Sequence, residues 1–216
     1  MRILELYHLK IKVRSVRNLY KIIKRMIDII LSFSALVVLI PICLILIIII
    51  KLDSSGPVLF KQKRVGIHKG HFNMLKFRTM KIDAPRETPT HLLENPDQYL
   101  TRIGKFFRKV SLDELPQIWN IFIGQMSIVG PRPALWNQYD LIAERDKYGA
   151  NDVLPGLTGW AQVNGRDELS IESKAKLDGE YVQNIGFLMD MKCLLLTIKK
   201  VVTSDGVIEG RIESEN

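Results

Sequence analysis

Residues 29–50, IILSFSALVVLIPICLILIIII, hold 22 positions without a charge. As one straight helix they measure about 33 Å, enough to cross a hydrocarbon core of roughly 30 Å. A cleaved signal peptide does not fit. The run is too long, and Lys51-Leu52-Asp53 stands where a small-residue cleavage site would be. Two features separate the segment from a plain span. Pro41, near its midpoint, removes a backbone hydrogen bond and favours a kink. Basic residues flank both ends, whereas a spanning helix concentrates them on its cytoplasmic side. These residues are compatible with a kinked spanning helix. They are equally compatible with a helix that dips in, bends at Pro41 and returns to the side it left.

The charge outside that segment follows the same division. The net charge is +8, and residues 1–25 hold eight Lys/Arg against Glu5 alone. Residues 51–82 hold eight more against Asp53 alone, while residues 83–216 reverse the balance with 15 basic and 20 acidic residues. A nucleic-acid binder spreads a basic face over its folded domain. Here the excess brackets one apolar run, which points to an anionic phospholipid membrane and not to nucleic acid. Two cysteines, Cys43 and Cys193, cannot build a disulfide framework and suit a reducing compartment. The organisation expected is a basic juxtamembrane segment (1–25), a membrane helix (26–51) and a folded domain (52–216).

Within that domain the richest stretch is residues 111–133, SLDELPQIWNIFIGQMSIVGPRP. Asp113 and Glu114 stand ahead of an apolar, helix-like run from Leu115 to Ile123. A basic run, Arg102 to Lys109, lies just upstream, and the stiff turn Pro131-Arg132-Pro133 closes the stretch. Acid pair, cations and rigid turn together suggest chemistry on an anionic substrate. Ser111 and Glu114 match the S-x-x-E capping box. That register puts Pro116 in the second turn, where it crowds a carbonyl; starting the helix at Asp113 puts the proline in the first turn, where it is tolerated. On local pattern alone, both acids could simply cap a helix.

Elsewhere, Ser54-Ser55-Gly56-Pro57 reads as a turn. Val58 to Phe60 and His71 to Met80 read as strands joined by a loop over Val65 to Gly70. Period two places Phe72, Met74, Lys76 and Arg78 on one strand face, so Lys76 and Arg78 could reach an anion together. Asp83 to Gln98 is a polar surface loop. Trp136 to Tyr148, Ser170 to Gln183 and Leu188 to Thr203 read as helices, the last packing in a core or lying on a membrane surface.

Five blocks then occur in order: KRMIDII, GPVLFKQKRVG, FNMLKFRTM, SLDELPQIWNIFIGQMSIVGPRP and PGLTGWAQVNGR. Together they resemble the bacterial sugar transferases of the monotopic phosphoglycosyl transferase family, over about Lys24 to Val207. The resemblance implies an α+β fold: a re-entrant membrane helix bent at Pro41, carrying a mostly helical catalytic domain with a small β-hairpin. It implies residence on the cytoplasmic face of a bacterial inner membrane. That family commonly breaks its membrane helix at Ser-Pro, whereas this chain has Ile40-Pro41, without a hydroxyl to help satisfy the freed backbone group.

The reaction implied is transfer of a sugar 1-phosphate from a UDP-sugar to undecaprenyl phosphate with release of UMP. By resemblance Asp113 is the nucleophile, Glu114 its partner, and Mg²⁺ the cofactor, held on the diphosphate with Asp113 close by. Arg108 would pair with phosphate, and Lys76 and Arg78 with the anionic substrate. Pro131-Arg132-Pro133 would meet the uracil, and Asn164 and Arg166 belong to a block near the active site. A homodimer is compatible with these features. Two rival readings remain: a glycosyl transferase that releases UDP, and an inactive membrane adaptor.

Overall fold

A computed structural model describes residues 2–85, 95–165 and 168–203 of the protein. Its first element, α1 (Arg2–Asp53), is a single 52-residue helix with Pro41 inside it. It covers both the basic segment and the apolar one, and from Leu19 to Asp53 it is long and apolar enough to cross a membrane by length and composition. Any bend at Pro41 is therefore a kink within one helix and not a loop between two.

The buried residues of α1, Asp28, Ser32, Leu46 and Ile50, recur at helical spacing along one face, while Ile30, Val38, Ile45 and Ile48 are exposed. The buried face grips the rest of the chain at both ends of the apolar run. At the first end Arg25 donates to the carbonyls of Ile121 (2.7 Å) and Phe122 (2.8 Å), and Asp28 Oδ1 accepts from the Ile128 backbone N–H at 3.1 Å. Lys24 and Tyr20 both meet Asp190. At the other end Leu46 and Ile50 pack with Phe77 and Phe107, and Asp53 accepts from the Ile103 N–H at 3.4 Å.

Strands β1 (Leu59–Val65) and β2 (His71–Phe77) form an antiparallel hairpin, with Leu59 opposite Phe77 and Val65 opposite His71. The first strand runs five residues further than its apolar start suggested: it stays paired with β2 as far as Val65, and beyond the ladder Lys63 lies over the Trp136 ring while Arg64 donates to the Pro133 carbonyl. Helix α2 (Arg102–Lys109) follows, capped by the Thr101 side chain. A single 3₁₀ turn, Leu112–Glu114, then leads to α3 (Gln117–Phe122). Neither the capping box at Ser111 nor the helix start at Asp113 is realised. Ser111 is left-handed (φ 57°) with no capping bond, and α3 begins only after Pro116, which stands at its N-cap, where its missing N–H costs no helical hydrogen bond.

Strand β3 (Ser127–Val129) pairs in parallel with β4 (Gly156–Thr158). The contact needs glycine: a Cβ at Gly156 would lie 2.1 Å from the Gly130 backbone nitrogen. Between the strands sits α4 (Tyr139–Asp146), shorter than the expected Trp136 to Tyr148. Its start is delayed because the Gln138 side chain takes up the Leu135 N–H (2.7 Å) and closes a turn instead. The described residues close with α5 (Trp160–Val163), α6 (Ile171–Gln183) and α7 (Phe187–Thr203). Tyr181 and Cys193 pack with Val129 in the core, whereas Phe187, Leu188, Leu195 and Ile198 leave one face of α7 exposed. The architecture is α+β, mostly helical, with one small hairpin.

Candidate active site

The 3₁₀ turn sets two acids side by side against β2. Asp113 is buried, 6% exposed, and its Oδ2 lies 3.5 Å from Lys76 Nζ. Lys76 bonds more closely to Glu114, 2.8 Å from Oε1. Arg132 Nη2 reaches the same Glu114 oxygen at 3.2 Å. Glu114 is thus the junction between the strand lysine and the Pro131-Arg132-Pro133 turn, while Asp113 stands beside it with one long contact.

Asn120 of α3 fixes this geometry. Its Oδ1 accepts from the Leu75 N–H (3.0 Å) and its Nδ2 donates to the Asn73 carbonyl (2.9 Å), so one buried amide completes the free edge of β2. The strand carrying Lys76 and the turn carrying the acids are therefore held together by a side chain acting as backbone. The proline turn is held equally firmly. Pro131 O accepts from Gly156 N (2.9 Å), and Pro133 O from Arg64 Nη1 (2.9 Å).

Burial pushes the Asp113 carboxyl above its ordinary range, and the charge of Glu114 pushes the same way. Lys76 and Arg108 pull it back without cancelling the effect. A buried carboxylate left short of positive charge is a hard oxygen ligand for a divalent cation, so Asp113, with Glu114 adjacent, fits a Mg²⁺ ion completed by substrate phosphates. Among the described residues there is no cluster of three or more His, Cys, Asp or Glu that would make a protein-only cage.

The expected residues divide into two groups. Asp113, Glu114, Lys76 and Arg132 come into direct contact, and the charge of Arg108 acts on Asp113. Arg78 does not join them: its guanidinium is buried and donates to the carbonyls of Ser55 (2.8 Å) and Ser54 (2.7 Å), clamping the turn after α1. Asn164 is exposed and donates to the Trp160 carbonyl (2.7 Å), closing its own short helix. Arg166 lies outside the described residues. Asn120 was not anticipated, although an amide among the apolar residues of IWNIF was a visible signal.

A hairpin-supported acid pair, ringed by cations and tied to a long apolar helix, defines a membrane-associated enzyme for an anionic substrate. The sequence matches the family model for bacterial sugar transferase over residues 19–204, and the chain belongs to that family. It is 42% identical to the uncharacterized sugar transferase EpsL of Bacillus subtilis, over 86% of this chain and 90% of that protein. It is 38% identical to the UDP-glucose:undecaprenyl-phosphate glucose-1-phosphate transferase of Escherichia coli, over 83% of this chain and 40% of that protein. Likewise, it is 38% identical to the undecaprenyl-phosphate glucose phosphotransferase of Komagataeibacter xylinus, over 84% of this chain and 36% of that protein. The chain thus spans about two fifths of these longer enzymes and nine tenths of the shorter relative.

Proposed function

We propose that this protein transfers a sugar 1-phosphate from a UDP-sugar to a polyprenyl phosphate, with Asp113 as covalent nucleophile. The observation that carries the reading is the buried, under-compensated Asp113 carboxylate beside the Lys76–Glu114–Arg132 cluster. The names of the longer relatives support the same donor and acceptor class.

In the first half-reaction an Asp113 oxygen bonds to the phosphorus that carries the sugar. The bond from that phosphorus to the bridging oxygen breaks, and UMP leaves with the oxygen and its electron pair. In the second, a phosphate oxygen of the polyprenyl phosphate attacks the same phosphorus and releases the Asp113 carboxylate, giving a polyprenyl diphosphate sugar. Covalent catalysis of this kind divides one difficult displacement into two. Lys76 and Arg108 hold Asp113 toward its anionic, nucleophilic form. Arg132 stands at the mouth of the nucleotide turn, and Glu114 keeps it and Lys76 in register. Mg²⁺, held by Asp113 when bound, supplies neutralising charge on the diphosphate.

The same reading makes α1 re-entrant. A straight run from Asp28 to Ile50 is about 33 Å long, as long as a bilayer core is thick. Yet Arg25 and Asp28 hold α3 and Ile128 at one end, and Leu46, Ile50 and Asp53 hold β2 and α2 at the other. One catalytic domain cannot grip both ends of a helix from opposite sides of a membrane. The shared grip, with the basic flanks, supports both flanks facing the cytoplasm, and Pro41 supplies the bend that returns the helix.

The experiment is intact-mass analysis of quenched enzyme given UDP-sugar without acceptor, using UDP-glucose and UDP-galactose first. The expected result is a mass gain of one phosphosugar with UMP in solution. UDP as the released nucleotide, with no adduct, would refute the mechanism.

A further inference from the structure

Thr79, directly after β2, is 5% exposed and touches α2 three times along one face. Its backbone carbonyl accepts from the Thr101 N–H at 3.0 Å. The same carbonyl comes so near Gly104 that a Cβ there would lie 2.0 Å from it. Its hydroxyl accepts from Arg108 Nε at 2.9 Å. Positions 101, 104 and 108 follow helical spacing, so α2 sits on Thr79 from its cap to its last turn.

The consequence concerns the guanidinium. Nε is committed to Thr79, and the two terminal amino groups of Arg108 make no hydrogen bond or ion pair among the described residues. Those two groups form the planar fork that binds phosphate oxygens bidentately. Its charge already reaches Asp113, the residue that must meet the same phosphorus. Arg78 is the contrast one position away: its terminal amino groups are spent on Ser54 and Ser55.

We propose that Thr79 is the positioning residue that aims the Arg108 fork at the diphosphate of the nucleotide, a role that rests on the phosphoryl-transfer reading of the site. The hydroxyl serves as an acceptor that fixes guanidinium rotation, leaving the two amino groups facing outward as a pair.

The test compares Thr79→Val, which keeps the shape and loses the acceptor, with Thr79→Ser, which keeps the acceptor and loses a methyl. The full chain in lipid nanodiscs is titrated with UDP in the presence of MgCl₂, and UMP release is measured in parallel. Thr79→Val should weaken UDP binding and lower kcat/KM by roughly tenfold, the scale of a hydrogen bond to a charged group. Thr79→Ser should stay within about twofold of wild type, and in an Arg108→Ala background Thr79→Val should add no further loss. A packing role reverses that order, with Ser the worse variant and the Val effect independent of Arg108; that result overturns the proposal. Equal UDP affinity for Thr79→Val and wild type also overturns it. Wild-type protein that binds UDP but releases no UMP would sink the transfer reading alone, because the binding comparison still decides the role of Thr79. Absence of UDP binding by wild type would sink both.

Discussion

Asp113 and Asp178 are both buried acids whose carboxyls burial pushes upward, yet their surroundings differ. Asp178, 1% exposed, receives two hydrogen bonds on Oδ2 from Arg145, one of them Nε at 2.8 Å. Asp113 receives one long contact from Lys76, and the better bond of that lysine goes to Glu114. The first acid is matched by a fork that joins α6 to α4. The second is left with charge to spare. Burial alone therefore does not mark a functional carboxylate; burial without a dedicated partner does.

The largest effect should come from Asp113→Asn. Turnover measured as UMP release should fall by roughly three orders of magnitude or more, since the nucleophile is gone. Stability should move the other way. Because burial raises the folded pKa of Asp113 above its unfolded value, its stabilising contribution exists at acid pH and is lost as pH rises through the folded pKa. The asparagine variant should accordingly unfold at a higher temperature than wild type at neutral pH, and a lower one would break the comparison.

Arg145→Ala should do the reverse. It leaves Asp178 buried and unpaired, at a cost of about 3–5 kcal/mol in stability. Thermal unfolding should show the loss, while kcat/KM per folded molecule stays near wild type. A variant stable but inactive would mean that the Asp178 pair belongs to the chemistry.

The smallest expected change is a shift rather than a loss. Lys76→Met removes the charge that most strongly lowers the Asp113 pKa. The acidic limb of the kcat/KM–pH profile should therefore move to higher pH. An unmoved limb would separate the observed titration from Asp113.

The sequence displayed much of this, and the failures are local. The hairpin, α6 and α7 follow from alternation and helical period. The β3–β4 pair does not, because three-residue strands separated by an intervening helix carry no periodic signal and depend on backbone contact at Gly130 and Gly156. The acid pair was visible as residue types; its confinement to a 3₁₀ turn was not, since Ser111 looks like a cap and is instead left-handed. Period two was extended to Arg78 over an expected strand from His71 to Met80, but β2 stops at Phe77 and the Ser54–Ser55 carbonyls claim Arg78 instead. Asp28 was overlooked as a lone acid before an apolar run, although Ile128 needs it.

The clasp between Lys24 and Asp190 joins residues 166 apart in sequence. At a synthesis rate of about 5–20 residues per second, α1 leaves the ribosome roughly ten to thirty seconds before its partner in α7 exists. During that interval the first end of the helix has only the earlier partners of Arg25 and Asp28, residues 121–128, to tie it to the rest of the chain. The latch on Lys24 thus closes late, when the last described helix arrives.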